Sequence, residues 1–255
     1  MYRLSDITVI KESRTILNVP SLDIPSDKLT VILGHNGSGK STLVNLLAGQ
    51  AKPDQGSVKL NGSALSTLSA KKLAQEIAYL PQHLPQASGL TVKELVKLGR
   101  YPWRGVFGRF NSNDDEIISQ AMCATQVESY SNHSAEKLSG GERQRAWISM
   151  LIAQQSPVLI LDEPTSALDI HHQYQVLELL KTLNTQQGKG VLVILHDLNL
   201  TLRFADHVIA LKQGEVVFSG STNEIADEAT LSELYHTPIK LMGHPTQQHK
   251  VAVVC

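Results

Sequence analysis

Leu29-Thr30-Val31-Ile32-Leu33 runs directly into Gly34-His35-Asn36-Gly37-Ser38-Gly39-Lys40-Ser41-Thr42. The first five residues are apolar or β-branched and read as a buried parallel strand. The eight from Gly34 to Ser41 fit G-x-x-x-x-G-K-[ST]. Glycines at this spacing let the backbone turn tightly and gather successive N–H groups around phosphate oxygens. A helix predicted over Ser41 to Ala48 starts at the loop and aims the positive end of its dipole at the same anion. Lys40 adds a point charge, and the Ser41 hydroxyl is placed for Mg2+. A strand, a phosphate-binding loop and a helix in this order predict an α/β core that holds a nucleotide.

Working outward, two more apolar runs read as buried strands, Val158 to Leu161 and Val191 to Leu195. The first ends in Asp162-Glu163, two acids at a strand end within reach of one loop. Asp162 is placed to hold the Mg2+ shell, and Glu163 to act as the general base on the attacking water. Strands alternating with helical patterns suggest an open sheet with its site at the strand C-termini. Other stretches read as antiparallel: Gly56 to Leu60 up to Asn61-Gly62, and Val208 to Leu211 against Glu215 to Phe218 across Gln213-Gly214. From about Gln82 to Pro157 the β signal vanishes. Helical periodicity appears in Val92 to Leu98 and in Glu116 to Ala124, so this stretch reads as a helical insert. Past Glu228 a short helical pattern gives way to the loose segment His244 to Lys250. The expected division is 1–82 and 158–255 for the core and tail, with 83–157 as the helical part.

Composition excludes several classes. At 255 residues, 42% hydrophobic and 18% charged, the chain is neither disordered nor fibrous. A formal net charge of -1 gives no reason to expect nucleic acid as a partner. No apolar run approaches the roughly 20 residues needed to span a bilayer, and the N-terminus lacks the apolar region of a signal peptide. Cys123 and Cys255 are the only cysteines, too few for a disulfide framework. A reduced cytoplasm is the natural compartment. Any connection to a membrane must run through a partner. Cys123 reads as core packing. His244 and His249 are off the spacing that puts two ligands on one helix face.

Leu138-Ser139-Gly140-Gly141-Glu142-Arg143-Gln144-Arg145 resembles the signature of the ATP-binding-cassette family. Ser139 is placed to cap the helix that follows, and the two glycines expose N–H groups to an anion. The rest of the family pattern follows in order: Gln82 in Tyr79-Leu80-Pro81-Gln82, Asp169 in Ser166-Ala167-Leu168-Asp169, and His196 after the strand Val191 to Leu195. The resemblance covers about Leu4 to Gly220. It implies a P-loop NTPase core with a small antiparallel β subdomain and an inserted α-helical subdomain. It implies a Mg-dependent ATPase whose ATP lies against Gly34, His35, Asn36, Gly37, Ser38, Gly39, Lys40, Ser41, Thr42 and Gln82. Metal would be held by Ser41, Gln82 and Asp162, while Glu163 and His196 would serve the chemistry. Ser139, Gly140, Gly141 and Asp169 would reach the ATP of a second copy across a sandwiched dimer. An integral-membrane permease and, indirectly, a periplasmic or surface substrate-binding protein would complete the assembly, at the cytoplasmic face of the cell membrane.

Leu98-Gly99-Arg100-Tyr101-Pro102-Trp103-Arg104-Gly105 and Phe107-Gly108-Arg109-Phe110 resemble a segment of iron–siderophore importer ATPases. Gly140 to Trp147 and Leu168-Asp169-Ile170 resemble the iron(III)-hydroxamate branch. Other tasks for such a chain are a soluble cassette ATPase in cofactor assembly or DNA repair, and a phosphotransferase. The signature and Gln82 oppose the phosphotransferase. Repair ATPases carry long coiled-coil inserts, for which the signature here lies too close to the phosphate loop. One departure stands out: family members carry an aromatic ring that stacks on adenine near the place of Lys11. Val9-Ile10-Lys11-Glu12 holds no ring, and Tyr2 lies too early.

Overall fold

Alternation of apolar and polar residues builds the first strands, β1 (Tyr2–Lys11) and β2 (Arg14–Ile24). Tyr2, Leu4, Ile7 and Val9 face inward from β1, and Leu17, Val19, Leu22 and Ile24 from β2. The computed structural model that shows this describes residues 1–104, 108–246 and 249–255. Gly105 and Phe107, in the importer-like segment, and Gln247 and Gln248, in the loose segment, lie outside the described residues. The chain forms two compact units, Met1–Thr67 with Gly190–Cys255, and Leu68–Lys189.

In the first unit, β3 (Leu29–Leu33) is buried at every position and leads to α1 (Lys40–Leu47). These bounds match the sequence expectation to within a residue. β4 (Gln55–Leu60) and the short β5 (Ser63–Ala64) complete an antiparallel sheet in the order β2-β1-β4-β5. The inward spacing of β1 skips from Leu4 to Ile7, because the chain kinks at Asp6 with φ 51°. There β4 comes so close that a Cβ on Gly56 would lie 2.3 Å from the Ser5 carbonyl oxygen. Only glycine fits that approach.

The second unit holds α2 (Ala70–Glu76), β6 (Ile77–Leu80), α3 (Val92–Lys97), α4 (Tyr101–Arg104), α5 (Ser112–Ala124), α6 (Gly140–Ala153), β7 (Val158–Leu161) and α7 (Ile170–Gln187). β6 and β7 pair in parallel, and among the described residues no strand lies between them in sequence. α3, α5 and α6 pack on one another. Capping boxes start all three, with Thr91 and Glu94, Asn111 and Asp114, Ser139 and Glu142. Such caps contribute about 1 kcal/mol each. α5 turns Ile117, Ile118, Ala121 and Met122 inward. Cys123 falls on its opposite face and is exposed, which corrects the core role expected of it.

The helices α3 to α6 enclose a buried ion cluster. Asp114 is fully buried and accepts from Arg100 Nε at 3.0 Å and Arg104 Nε at 2.7 Å. Arg100, 4% exposed, also donates through Nη1 to the Ala153 carbonyl (2.8 Å) and Gln155 Oε1 (3.1 Å). Tyr101 and Trp103 beside it stay 41% exposed, and Trp103 Nε1 donates to the Gln154 carbonyl at 2.6 Å.

The first unit resumes with β8 (Gly190–Ile194), α8 (Leu198–Phe204), β9 (His207–Lys212) and β10 (Glu215–Ser221). β8 and β9 flank β3, both in parallel, and β10 folds back antiparallel on β9 across Gln213-Gly214. α9 (Thr222–Ile225) and α10 (Glu228–Tyr235) follow. The tail then forms an antiparallel hairpin, β11 (Ile239–Gly243) with β12 (Lys250–Val254). The Asn199 amide of α8 brackets β12, accepting from Ala252 N (2.7 Å) and donating to its carbonyl (3.3 Å).

Candidate functional site

In the first unit the loop after β3 is shaped by its own backbone and by β9–β10. Gly34 has φ 147°, and a Cβ there would lie 2.4 Å from the Leu211 carbonyl oxygen and 2.5 Å from Ser38 Oγ. Ser38 N donates to the His35 carbonyl (3.1 Å), and Gly214 N to the Ser38 carbonyl (3.1 Å). Lys40 Nζ donates to the carbonyls of Gly34 (2.8 Å) and His35 (2.9 Å). Residues 35–37 and Ser41 are exposed and Thr42 is half-buried, so an anion can approach the loop edge. α1 starts at Lys40 behind the left-handed Gly39, with its first amides directed toward the loop.

Two further features of this unit involve histidines singled out in the sequence. His196 is exposed just past β8, and the next residue, Asp197, caps α8 by accepting from Leu200 N at 3.0 Å. The His35 ring reaches α10. Its Nε2 bonds to the Leu234 carbonyl at 2.9 Å, and it lies 5.8 Å from both Tyr235 and His236. Sequence reading misses this brace, since 199 positions separate its ends. Tyr2, fully buried with its hydroxyl donating to the Leu47 carbonyl, is committed to packing. The β1–β2 turn, Glu12-Ser13, carries no ring.

In the second unit β7 delivers the two acids. Asp162 N continues the ladder to the Leu80 carbonyl (2.9 Å), and its side chain is 3% exposed. Burial and the Asp162 charge push the Tyr79 phenol up to about 12. Glu163 takes a left-handed conformation, φ 52°, which swings its carboxylate out of the strand alternation. Gln82 Nε2 donates to Glu163 Oε2 at 2.8 Å, so the structure brings these two expected residues together. Ser166 N and Oγ both donate to the Glu163 carbonyl, at 3.3 and 3.1 Å.

The signature occupies the start of α6. Ser139 Oγ accepts from Glu142 N (3.4 Å), while Glu142 Oε2 accepts from Ser139 N (2.8 Å). The Ser139 amide, the Tyr130 hydroxyl and the Ser139 hydroxyl hold the Glu142 carboxyl below its ordinary pKa. A Cβ on Gly140 would meet no atom within 4 Å among the described residues, whereas one on Gly141 would lie 3.3 Å from Leu168 Cδ2. Leu168 thus seats the Asp169 loop beside the signature. Asp169 caps α7 by accepting from His172 N at 2.9 Å. Gln173, unmarked by any motif, anchors that loop through Nε2 to the Leu168 (2.9 Å) and Thr165 (3.3 Å) carbonyls.

The side chains of Ser41, Gln82 and Asp162, the metal ligands expected from the sequence, each carry a hard oxygen of the kind that Mg2+ takes. Arg100, in contrast, is not available at the surface. Its charge is consumed by Asp114 inside the helical bundle.

The family model for ABC transporters matches residues 17–166. Among curated proteins, the iron(3+)-hydroxamate import ATP-binding protein FhuC of Bacillus subtilis is 40% identical over 94% of this chain and 89% of its own length. The achromobactin transport ATP-binding protein CbrD of Dickeya dadantii is 39% identical over the same shares. The ferric enterobactin transport ATP-binding protein FepC of Escherichia coli is 39% identical over 91% of this chain and 85% of its own. Among solved structures, the ATP-binding cassette MJ0796, a dimer in a post-hydrolysis state with ADP and Pi, superposes with a TM-score of 0.78. It is 30% identical and covers 87% of this chain and 99% of its own. A chain of an inward-facing ABC transporter reaches 0.85 at 26% identity, covering 100% and 97%.

Proposed function

Because this chain belongs to the ABC transporter family and is therefore an ATP-hydrolysing cassette, we propose that it powers import of iron(III) siderophores of the hydroxamate class through an integral-membrane permease. The observation that carries the reading is likeness over nearly the full length to import subunits, with Gly140 to Trp147 and Leu168-Asp169-Ile170 favouring hydroxamate. No helix among the described residues is long and apolar enough to cross a membrane. The chain would work peripherally at the inner face of the cell membrane, while a periplasmic or surface binding protein delivers the chelate to the permease. Residues 83–157 would form the permease-docking part between core segments 1–82 and 158–255.

When bound, Mg2+ would supply charge neutralisation at the ATP phosphate oxygens. Lys40 and the loop amides of residues 34–42 would hold those phosphates, and Ser41, Gln82 and Asp162 would supply oxygens to the metal. Glu163 takes a proton from the attacking water, held in place by Gln82, and His196 contacts the γ-phosphate. The γ-phosphoryl group passes to the water oxygen and ADP leaves. Ser139, Gly140, Gly141 and Asp169 complete the site on a second copy. Ile170, apolar and 75% exposed beside Asp169, suits a surface that a second copy covers.

Deletion of the gene in its host tests this. Growth on a ferric hydroxamate as sole iron source should be lost, and growth on a ferric catecholate or hemin kept. Loss on catecholate alone would move the substrate class, and unchanged growth on all three would refute the importer reading. Wild-type protein should restore growth, and Glu163→Gln should not.

A further inference from the structure

We propose that His35 is a positioning residue of the phosphate loop, held by a C-terminal clasp made of Leu234, Tyr235 and His236. The inference rests on the reading of residues 34–42 as the phosphate cradle, and concerns what keeps that cradle in shape.

The His35 side chain and its main chain point to different tasks. A carbonyl oxygen only accepts, so the 2.9 Å contact with Leu234 requires the proton on His35 Nε2. The ring is further confined by His236, nearly parallel at 12°, and by the Tyr235 edge at 65°. The His35 carbonyl meanwhile accepts from Lys40 Nζ (2.9 Å) and Ser38 N (3.1 Å). A shift of the ring therefore moves the oxygen on which the phosphate-binding ammonium rests.

The clasp is itself anchored. Tyr235 is pushed up to about 12, first by burial and then by the Asp197 carboxylate next to His196. His236 ends α10 in a left-handed conformation, φ 52°, an uncommon state for a non-glycine residue that aims its ring at the loop. Beyond it the β11–β12 hairpin is bracketed by Asn199, on the helix that follows His196. The described residues of this C-terminal stretch thus touch the phosphate loop at His35 and α8 at Asn199. If the clasp supports the bound geometry of the loop, nucleotide must in turn support the clasp, because coupling between two sites is reciprocal.

The test is amide hydrogen exchange on the full-length protein with and without MgADP, with β1–β2 as the internal reference. MgADP should slow exchange of β11–β12 relative to that reference. His35→Ala should abolish the effect, and His35→Gln, which keeps a donor for the Leu234 carbonyl, should restore part of it. In steady state His236→Ala should raise KM for MgATP about three- to tenfold, as for one lost ring contact, with kcat at saturation retained. A fall in kcat without a change in KM would overturn the clasp, as would a tail indifferent to MgADP in the wild type. Lys40→Ala separates the two readings. Lost MgADP binding there, with an indifferent wild-type tail, overturns the clasp alone. Normal MgADP binding in Lys40→Ala overturns the cradle assignment and the clasp with it.

Discussion

Glu163 adopts φ 52° at the end of a buried strand, where a non-glycine residue costs about 1–3 kcal/mol unless its surroundings impose the conformation. Two bonds from Ser166 to its carbonyl and one from Gln82 to its carboxylate impose it. Glu163→Gln keeps that shape and removes only the basic oxygen. Purified protein should still bind MgATP, while hydrolysis falls by about 10²-fold or more. Lys40→Ala should instead weaken binding itself, and near-normal turnover in Glu163→Gln would take the base role from Glu163. The other residue-scale expectation concerns adenine. With Tyr2 buried and no ring at the β1–β2 turn, ATP and GTP should be hydrolysed with similar efficiency, a stacking contribution of roughly 1–3 kcal/mol being missing. Competition kinetics decide it. Strong preference for ATP that Lys11→Tyr leaves unchanged would show that another residue grips the base.

At the scale of elements, the Asp114 cluster decides whether the helical bundle holds. Burial alone would raise the Asp114 carboxyl, but the Asn111 amide, Arg104 and Arg100 together bring it below its ordinary value. A carboxyl lowered in the folded state stabilises fully above its unfolded pKa of about 3.9, and loses that contribution as pH falls through the folded value. Stability should therefore be flat with respect to this group from neutral pH to about 5, and fall below about 4. Asp114→Ala strands the buried Arg100 charge and should cost about 3–5 kcal/mol in urea unfolding followed by circular dichroism. A loss under 1 kcal/mol would mean that water reaches Arg100. Elements whose signal is local were legible in the sequence. β3 and β7 have the expected bounds, and α1 begins one residue early. The kink at Asp6 breaks the two-residue period that would have announced β1, and the half-exposed faces of β11 and β12 carry no alternation. Nothing local in the sequence announces that Arg100 is buried, because its partner Asp114 lies 14 positions away. The Gln82–Glu163 contact joins residues 81 positions apart, and only the family pattern hinted at it.

For the whole molecule, the exposed edge of the helical bundle is where coupling to a permease is expected. Trp103→Ala removes a 41% exposed ring outside every phosphate-facing motif. Basal ATPase of the isolated subunit should stay near wild type, while permease-stimulated hydrolysis and siderophore-dependent growth fall together. Collapse of basal activity as well would make Trp103 a packing residue. The first unit has a different consequence, in the order of synthesis. Its loop ends at Thr42, yet both neighbours of β3 come from beyond residue 189 and the His35 brace from residues 234–236. A chain growing from its N-terminus carries the motif long before it can shape it. Ribosome-bound fragments ending before β8 should accordingly fail to retain nucleotide, so that competence for fuel arrives only once β8 and β9 have been made, and a fragment abandoned before them has no means of wasting ATP.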